Sequence, residues 1–308
     1  MGIGTSGGYL LWRDESTFGT DPGTGDKTAD VQTVEAEWVR NLEKKPALWG
    51  VRNYPMVYST TKYVEGRIVA NATEWKFLKH ALGSLTENAT SAVSAPYYHD
   101  FEETEVLPSF TLERQWGAKA YKVLGCKMNT LSIKGEVGQA MEFELNFMAK
   151  DKLKIDTGLA TPSYTQALPF RVTNLATATF GATDINAYIK SFDINMTNNL
   201  SVDIGADGKP RAIDEGMREV TGSLTCKFDY TLGDFVLNED TADITLKVIR
   251  GTNDEIEITI EDATFESLND VTEADSQKEI ELVFISQADA TNKNCIKVRM
   301  TGDQATYY

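Results

Sequence analysis

Residues 34–42 read VEAEWVRNL and residues 192–200 read FDINMTNNL. Both stretches alternate apolar and polar residues and both close on Asn-Leu, with Val34, Ala36 and Trp38 standing where Phe192, Ile194 and Met196 stand. A period of two sends alternate side chains to opposite faces, so each stretch predicts a half-buried β-strand. The likeness continues outward. Residues 62–73 (KYVEGRIVANAT) match 218–229 (REVTGSLTCKFD) through Val64/Val220, Gly66/Gly222 and Ile68/Leu224. Residues 110–112 then run against 244–246, 121–133 against 256–268, and EFELNF at 142–147 against EIELVF at 279–284; upstream, Thr17-Phe18-Gly19 matches Thr179-Phe180-Gly181. Collinear order of this kind is the mark of a duplicated unit. The sequence predicts two tandem copies, 1–158 with an N-terminal arm and 165–308 with a C-terminal tail, joined around 161–166.

Each copy reads as mainly β. Alternation marks 34–42, 62–72, 121–133 and 141–149, with counterparts at 188–200, 217–228, 255–268 and 278–286. One helix interrupts each set. In the first copy Thr73 is placed to cap, Trp75, Leu78, Ala81 and Leu82 fall at helical spacing, and Gly83 stops the run. In the second, Asp229 precedes a shorter helix over 230–237 that Gly233 weakens. The expected fold is two antiparallel β-sandwiches or barrels, each with one flanking helix. Residues 43–61, 84–108 and 201–216 read as long loops, and 1–30 as an arm, more than a compact monomer needs.

The strand faces separate cleanly. Val34, Ala36, Trp38, Val64, Ile68, Phe143, Leu145 and Phe147 fall on the core side, with Phe192, Ile194, Met196, Val220, Leu224, Ile280, Leu282 and Phe284 in the second copy. The opposite face carries Glu35, Glu37, Glu65, Glu142, Glu144, Asp193, Glu279 and Glu281, with few basic residues to offset them. Recurrence of like charge in both copies, at a cost in self-repulsion, suits a surface that repels polyanions.

Overall charge agrees. With 46 acidic against 30 basic residues the net charge is −16, which excludes a protein that grips nucleic acid by neutralising phosphates. Two histidines and three scattered cysteines leave no disulfide framework and no metal motif. No run of about 18 apolar residues is present to span a membrane, and the N-terminus lacks a secretion-signal layout, so the chain is expected to be made in the cytoplasm. The pairs Glu142/Glu144 and Glu279/Glu281 each share one strand face, whereas glycoside chemistry sets two carboxyls across a cleft. His80 on the helix and His99 in a Tyr-rich loop read as structural. Residues 2–8 (GIGTSGG) open no helix and form no phosphate loop. No catalytic residue, cofactor or metal is assigned.

Residues 188–200 (YIKSFDINMTNNL), a loop holding Gly205, Gly208 and Pro210, and residues 216–227 (GMREVTGSLTCK) together resemble the tail tube proteins of long-tailed bacteriophages. The resemblance covers about 100 residues of the second half, and the repeat extends it to the first. It implies a tube domain whose sheets join around a ring of six, so a chain with two domains needs three copies: a trimer with pseudo-sixfold symmetry, stacked into a conduit for DNA. On that reading the eight carboxylates above line the lumen, and Trp49, Tyr54, Met56, Tyr58, Pro210 and Arg211 contact neighbouring rings. The implied partners are the chain itself, tail tip or initiator, tape-measure and terminator proteins, with DNA passing unbound and no membrane; the implied location is the virion tail, after assembly in the host cytoplasm. An inner tube of a contractile tail or secretion-type injection system shares these features. Another phage structural protein, or an enzyme on a β scaffold, is the rival of a different class.

Overall fold

The computed structural model describes residues 9–23, 25, 27–28, 31–45, 54, 56–73, 76–87, 95–116, 119–155, 168–227, 230–271, 279–291 and 293–303. The first half holds β1 (Tyr9–Asp14), β2 (Lys27–Thr28), β3 (Thr33–Lys45), β4 (Met56–Asn71), α1 (Leu78–Leu82), β5 (Gly83–Glu87) and β6 (Tyr97–Glu103). It continues with β7 (Phe110–Trp116), β8 (Lys119–Glu136), β9 (Glu142–Ala149) and β10 (Asp151–Ile155). The second half holds β11 (Leu175–Phe180), β12 (Thr183–Asp184), β13 (Ile189–Thr197), β14 (Ser201–Ile204), β15 (Pro210–Asp214) and β16 (Glu219–Lys227). After α2 (Tyr230–Leu237) come β17 (Thr241–Ile249), β18 (Glu255–Val271), β19 (Glu279–Ser286) and β20 (Ile296–Gly302). The fold is mainly β, antiparallel throughout, with two α-helices among the described residues.

A central sheet runs β3–β4–β9–β8–β13–β16–β19–β18. Its strands alternate buried and open positions, as in Glu142–Ala149, so one face is apolar and packed while the other stays polar. The N-terminal part of β8 leaves this sheet to pair with β7 and β10, and β1 continues from β7. Likewise β18 pairs with β17 and β20, and β11 continues from β17. Phe110 of β7 meets Phe147 of β9 edge-on at 6.4 Å, so apolar faces of the two layers share one core.

Strand order and irregularities recur between the halves. Register slips between Met128 and Thr130 opposite β9, and between Phe265 and Ser267 opposite β19. It slips again between Phe110 and Leu112, and between Ala242 and Ile244, against β8 and β18. These bulges set 110–112 against 242–244 and 121–133 against 258–270, two residues from the sequence match in each case. A slip of two preserves the alternation, so hydrophobic pattern alone cannot detect it. The recurrence is incomplete, because β6 of the first half pairs with β20 of the second. The joint expected around 161–166 lies outside the described residues.

Several sequence expectations are corrected. Thr73 does not cap: its hydroxyl bonds Asn71 O, and α1 begins at Leu78. Gly83 does end that helix, at φ 121° with its N–H on Lys79 O. The second helix is the longer of the two, and Asp229 lies outside the described residues. Among the described residues these loops are largely strand. Residues 43–45 and 56–61 extend the β3–β4 hairpin, 201–216 contains the β14–β15 hairpin, and 84–108 contains β5 and β6. The arm contributes β1, whose Trp12 is fully buried. Distal hairpins that bury little of either face have no strict apolar–polar alternation to write into the sequence, which is why the pattern misses them.

Candidate functional site

Cross-strand partners in an antiparallel sheet share a face, so the registers assemble the polar face row by row. One row reads Glu35, Arg67, Asn146, Thr130, Thr197 and Glu219. Another reads Asn71, Glu142, Lys134, Asp193, Ser223 and Val283. Further rows place Glu37 opposite Glu65, Glu144 opposite Ser132, Glu281 opposite Thr225, and Glu279 opposite Lys227. All eight carboxylates singled out in the sequence stand on this face. Glu35, Glu37, Glu65, Glu279 and Glu281 are exposed, while Glu142, Glu144 and Asp193 are half-buried.

The face is less one-sided than its sequence suggests. Arg67 Nε lies 2.8 Å from Glu144 Oε1, and Lys134 Nζ lies 3.8 Å from Glu144 and 3.9 Å from Asp193. The Glu144 hydrogen bond, then its charge, raises the Arg67 pKa. Lys190 pairs with Glu279. Lys134 and Lys190 escaped the sequence reading, although the alternation of β8 already places residue 134 beside 130 and 132. Arg67 and Lys134 share Glu144, and Lys134 of β8 and Lys190 of β13 stand on the two strands of the joint. Acid predominates toward the β3–β4 end, where Glu37 faces Glu65 directly.

Of the residues expected to meet neighbouring rings, Trp49 lies outside the described residues. Tyr54, Met56 and Tyr58 are 58%, 53% and 48% exposed, and Leu42 and Val57 join them on the distal β3–β4 hairpin. Pro210, by contrast, is buried within the protomer. The β14–β15 turn docks on the first half: Gly208 O accepts from the Lys62 N–H at 2.9 Å, and Lys209 pairs with Asp151. Arg211 stays exposed, its guanidinium bonded to Asp203 Oδ2 at 2.6 Å and 2.9 Å.

The histidines and cysteines lie in the core. His99 belongs to β6 rather than a loop; it and His80 are fully buried beside Glu87 and Asp14 at 3.3 Å and 3.2 Å. Cys126 and Cys226 are buried free thiols whose pKa burial raises, Cys226 to about 12. Among the described residues no cluster of His, Cys, Asp and Glu is placed to hold a metal, and no helix is long and apolar enough to cross a membrane. What the geometry offers is a broad, mixed-charge, net-acidic sheet surface and an exposed apolar hairpin. A family model described as phage tail tube protein matches residues 5–288. Among curated proteins none matches the chain.

Proposed function

The chain belongs to the phage tail tube protein family, and from that premise we propose that this structural tail protein assembles into stacked rings forming a conduit for DNA. Residues 1–158 and 165–308 act as two tube domains, so that three chains make a ring of six. The polar face lines the lumen, with Glu35, Glu37, Glu65, Glu142, Glu144, Asp193, Glu279 and Glu281 setting its charge. Like-charge repulsion keeps the phosphate backbone from adhering, and interleaved Arg67 and Lys134 hold the half-buried acids without reversing the sign. The distal β3–β4 hairpin, with Tyr54, Met56 and Tyr58, reaches the next ring, where its apolar side chains leave water. Initiator, tape-measure and terminator proteins meet the tube at its ends and centre, assembly takes place in the host cytoplasm, and no catalytic step is involved.

The observation that carries this reading is the continuity of one antiparallel sheet, with one polar face, through the joint between the halves. Electron microscopy of concentrated protein tests it: rings with an open centre should stack at a repeat of about 40 Å, the height that tilted strands of this length give. A chain that stays monomeric even with tail initiator components overturns the proposal.

A further inference from the structure

Between β1 and β2 the chain crosses the outer face of the β1–β7–β8–β10 layer and covers charged residues there. Leu11, Glu113, Lys122 and Leu153 stand in one row, each directly opposite the next across its strand pair. The other face of these strands, with Trp12, Leu112 and Val123, belongs to the core. Even so, on this outer face Glu113 is 1% exposed and Lys122 9%. The crossing segment is pinned over them. Glu15 accepts from Gly19 N at 2.7 Å, Ser109 Oγ at 2.8 Å, Thr111 Oγ1 at 2.6 Å and Gly125 N at 2.8 Å, and Asp21 reaches Lys122.

Three groups converge at that point. Lys122 Nζ lies 2.8 Å from Asp21 Oδ1, 2.7 Å from Glu113 Oε1 and 2.7 Å from Gly23 O. Asp21 Oδ1 also accepts from Gly23 N at 2.9 Å. Glu113 Oε2 is buried with no hydrogen-bond partner among the described residues. Burial acts to lower the Lys122 pKa, but hydrogen bonds to Asp21 and Glu113 hold it above its usual 10.5, so the resting contact is ionic. Charges held this far from water carry a desolvation cost that a neutral amide does not. An amine, an acyl carbon and a buried proton carrier kept together at this range also react with the high effective molarity of an intramolecular reaction.

We propose that Lys122 and Asp21 condense into an isopeptide bond, with Glu113 relaying the protons. The ammonium passes a proton to Glu113, and the freed Nζ lone pair attacks Asp21 Cγ. Negative charge that gathers on Oδ1 is met by the Gly23 N–H, which already points there. The Nζ–Cγ bond forms and the Cγ–Oδ2 bond breaks. Oδ2 leaves as water with two protons, one returned by Glu113 and one from Nζ. Ammonium and carboxylate thus give amide and water, nothing is oxidised or reduced, and Glu113 ends as the carboxylate it began as. The Asp21 side chain is 48% exposed, which gives the water a way out. The bond ties the N-terminal arm to the β7–β8 hairpin and needs no ring assembly.

Intact-mass spectrometry of the purified chain tests this. Aged at neutral pH, the folded protein should weigh about 18 Da less than its sequence dictates, the mass of one water. A protease digest should then hold a branched peptide joining residues 21 and 122. Lys122→Arg should keep the full mass, and Glu113→Gln should slow bond formation by about a hundredfold or more. Asp21→Asn should still condense but release ammonia, a loss of about 17 Da. Full mass in aged wild-type protein that still shields its three cysteines from a thiol reagent overturns the proposal. So does a loss of water that survives Lys122→Arg, as a succinimide at Asp207-Gly208 would give.

Discussion

The ring of Phe147 lies across Gly66, its direct partner on the neighbouring strand, and occupies the space that a Cβ would take. Phe284 stands over Gly222 in the same way. Behind each glycine is backbone, Glu35 O in one case and Asp193 O in the other, so neither side can yield cheaply. An aromatic ring laid over a strand glycine recovers the packing that the missing side chain forgoes. Gly66→Ala and Gly222→Ala should each destabilise the protein by about 1–3 kcal/mol in denaturant unfolding. Phe147→Leu should recover part of the Gly66→Ala loss; strictly additive losses would show that the ring is not the obstacle.

Arg218 ties the halves together beneath the sheet. Its guanidinium lies 3.1 Å from Glu103 and donates to Asn198 Oδ1 at 2.7 Å and Thr104 O at 3.2 Å. Glu103 is nearly buried, so Arg218→Met leaves a carboxylate without its main counter-charge. The cost should be about 3 kcal/mol by the same unfolding assay. Glu103→Gln in that background should return much of it, and no recovery would argue against the ion pair.

Charge on the polar face should act on DNA more than on folding. Glu37 faces Glu65 across the strand pair, so Glu37→Gln should stabilise slightly, by about 0.2–1 kcal/mol. Reversing Glu35, Glu37, Glu65 and Glu281 to Lys should leave tubes intact but slow genome release in a salt-dependent way. Normal, salt-independent release from such tubes would remove the lumen-charge proposal.

Acid should weaken the fold through Asp14. Burial alone would raise its pKa, but hydrogen bonds and charge from His80, with Lys79 and Lys27, hold the carboxyl far below its usual 3.8. Glu215 is lowered too, against burial, by Lys127 and the Leu107 N–H. In this range the unfolded chain binds more protons than the folded one, so this stability is present above about pH 4 and is lost as pH falls further. Asp14→Asn should flatten the dependence of stability on pH between about 4 and 2, measured by denaturant melts.

Thiol chemistry offers a check on the core. Cys126, Cys226 and Cys295 are all buried and all raised in pKa, first by burial. A thiol reagent should label none of them in folded protein at pH 8 and all of them in denaturant. Rapid native labelling at any of the three would contradict the packing described.

The paired strands of the central sheet were legible because each buries one face, which writes a period of two into 34–42, 142–147 and their counterparts. Core residues such as Phe143, Leu145, Ile280 and Leu282 follow from that pattern. Two kinds of feature were not legible. Hairpins such as β14–β15 and the distal part of β3–β4 pair through backbone with little apolar alternation, and so resemble loops. Helix α1 begins late because tertiary packing of Leu78, Ala81 and Leu82, not Thr73, decides its start. At the polar face the acids were legible, but the pairing of Glu144 with both Arg67 and Lys134 depends on a register that only the bulges reveal.

The joint inside the chain is held by β8 with β13, by β6 with β20 and by Arg218. In the proposed ring of three chains every second seam would be intramolecular, with the high effective concentration that a covalent connection confers. Such a ring should come apart in whole chains: warming or dilution opens alternate seams first. Only three associations per ring would then depend on protein concentration, which lowers the order of the assembly reaction.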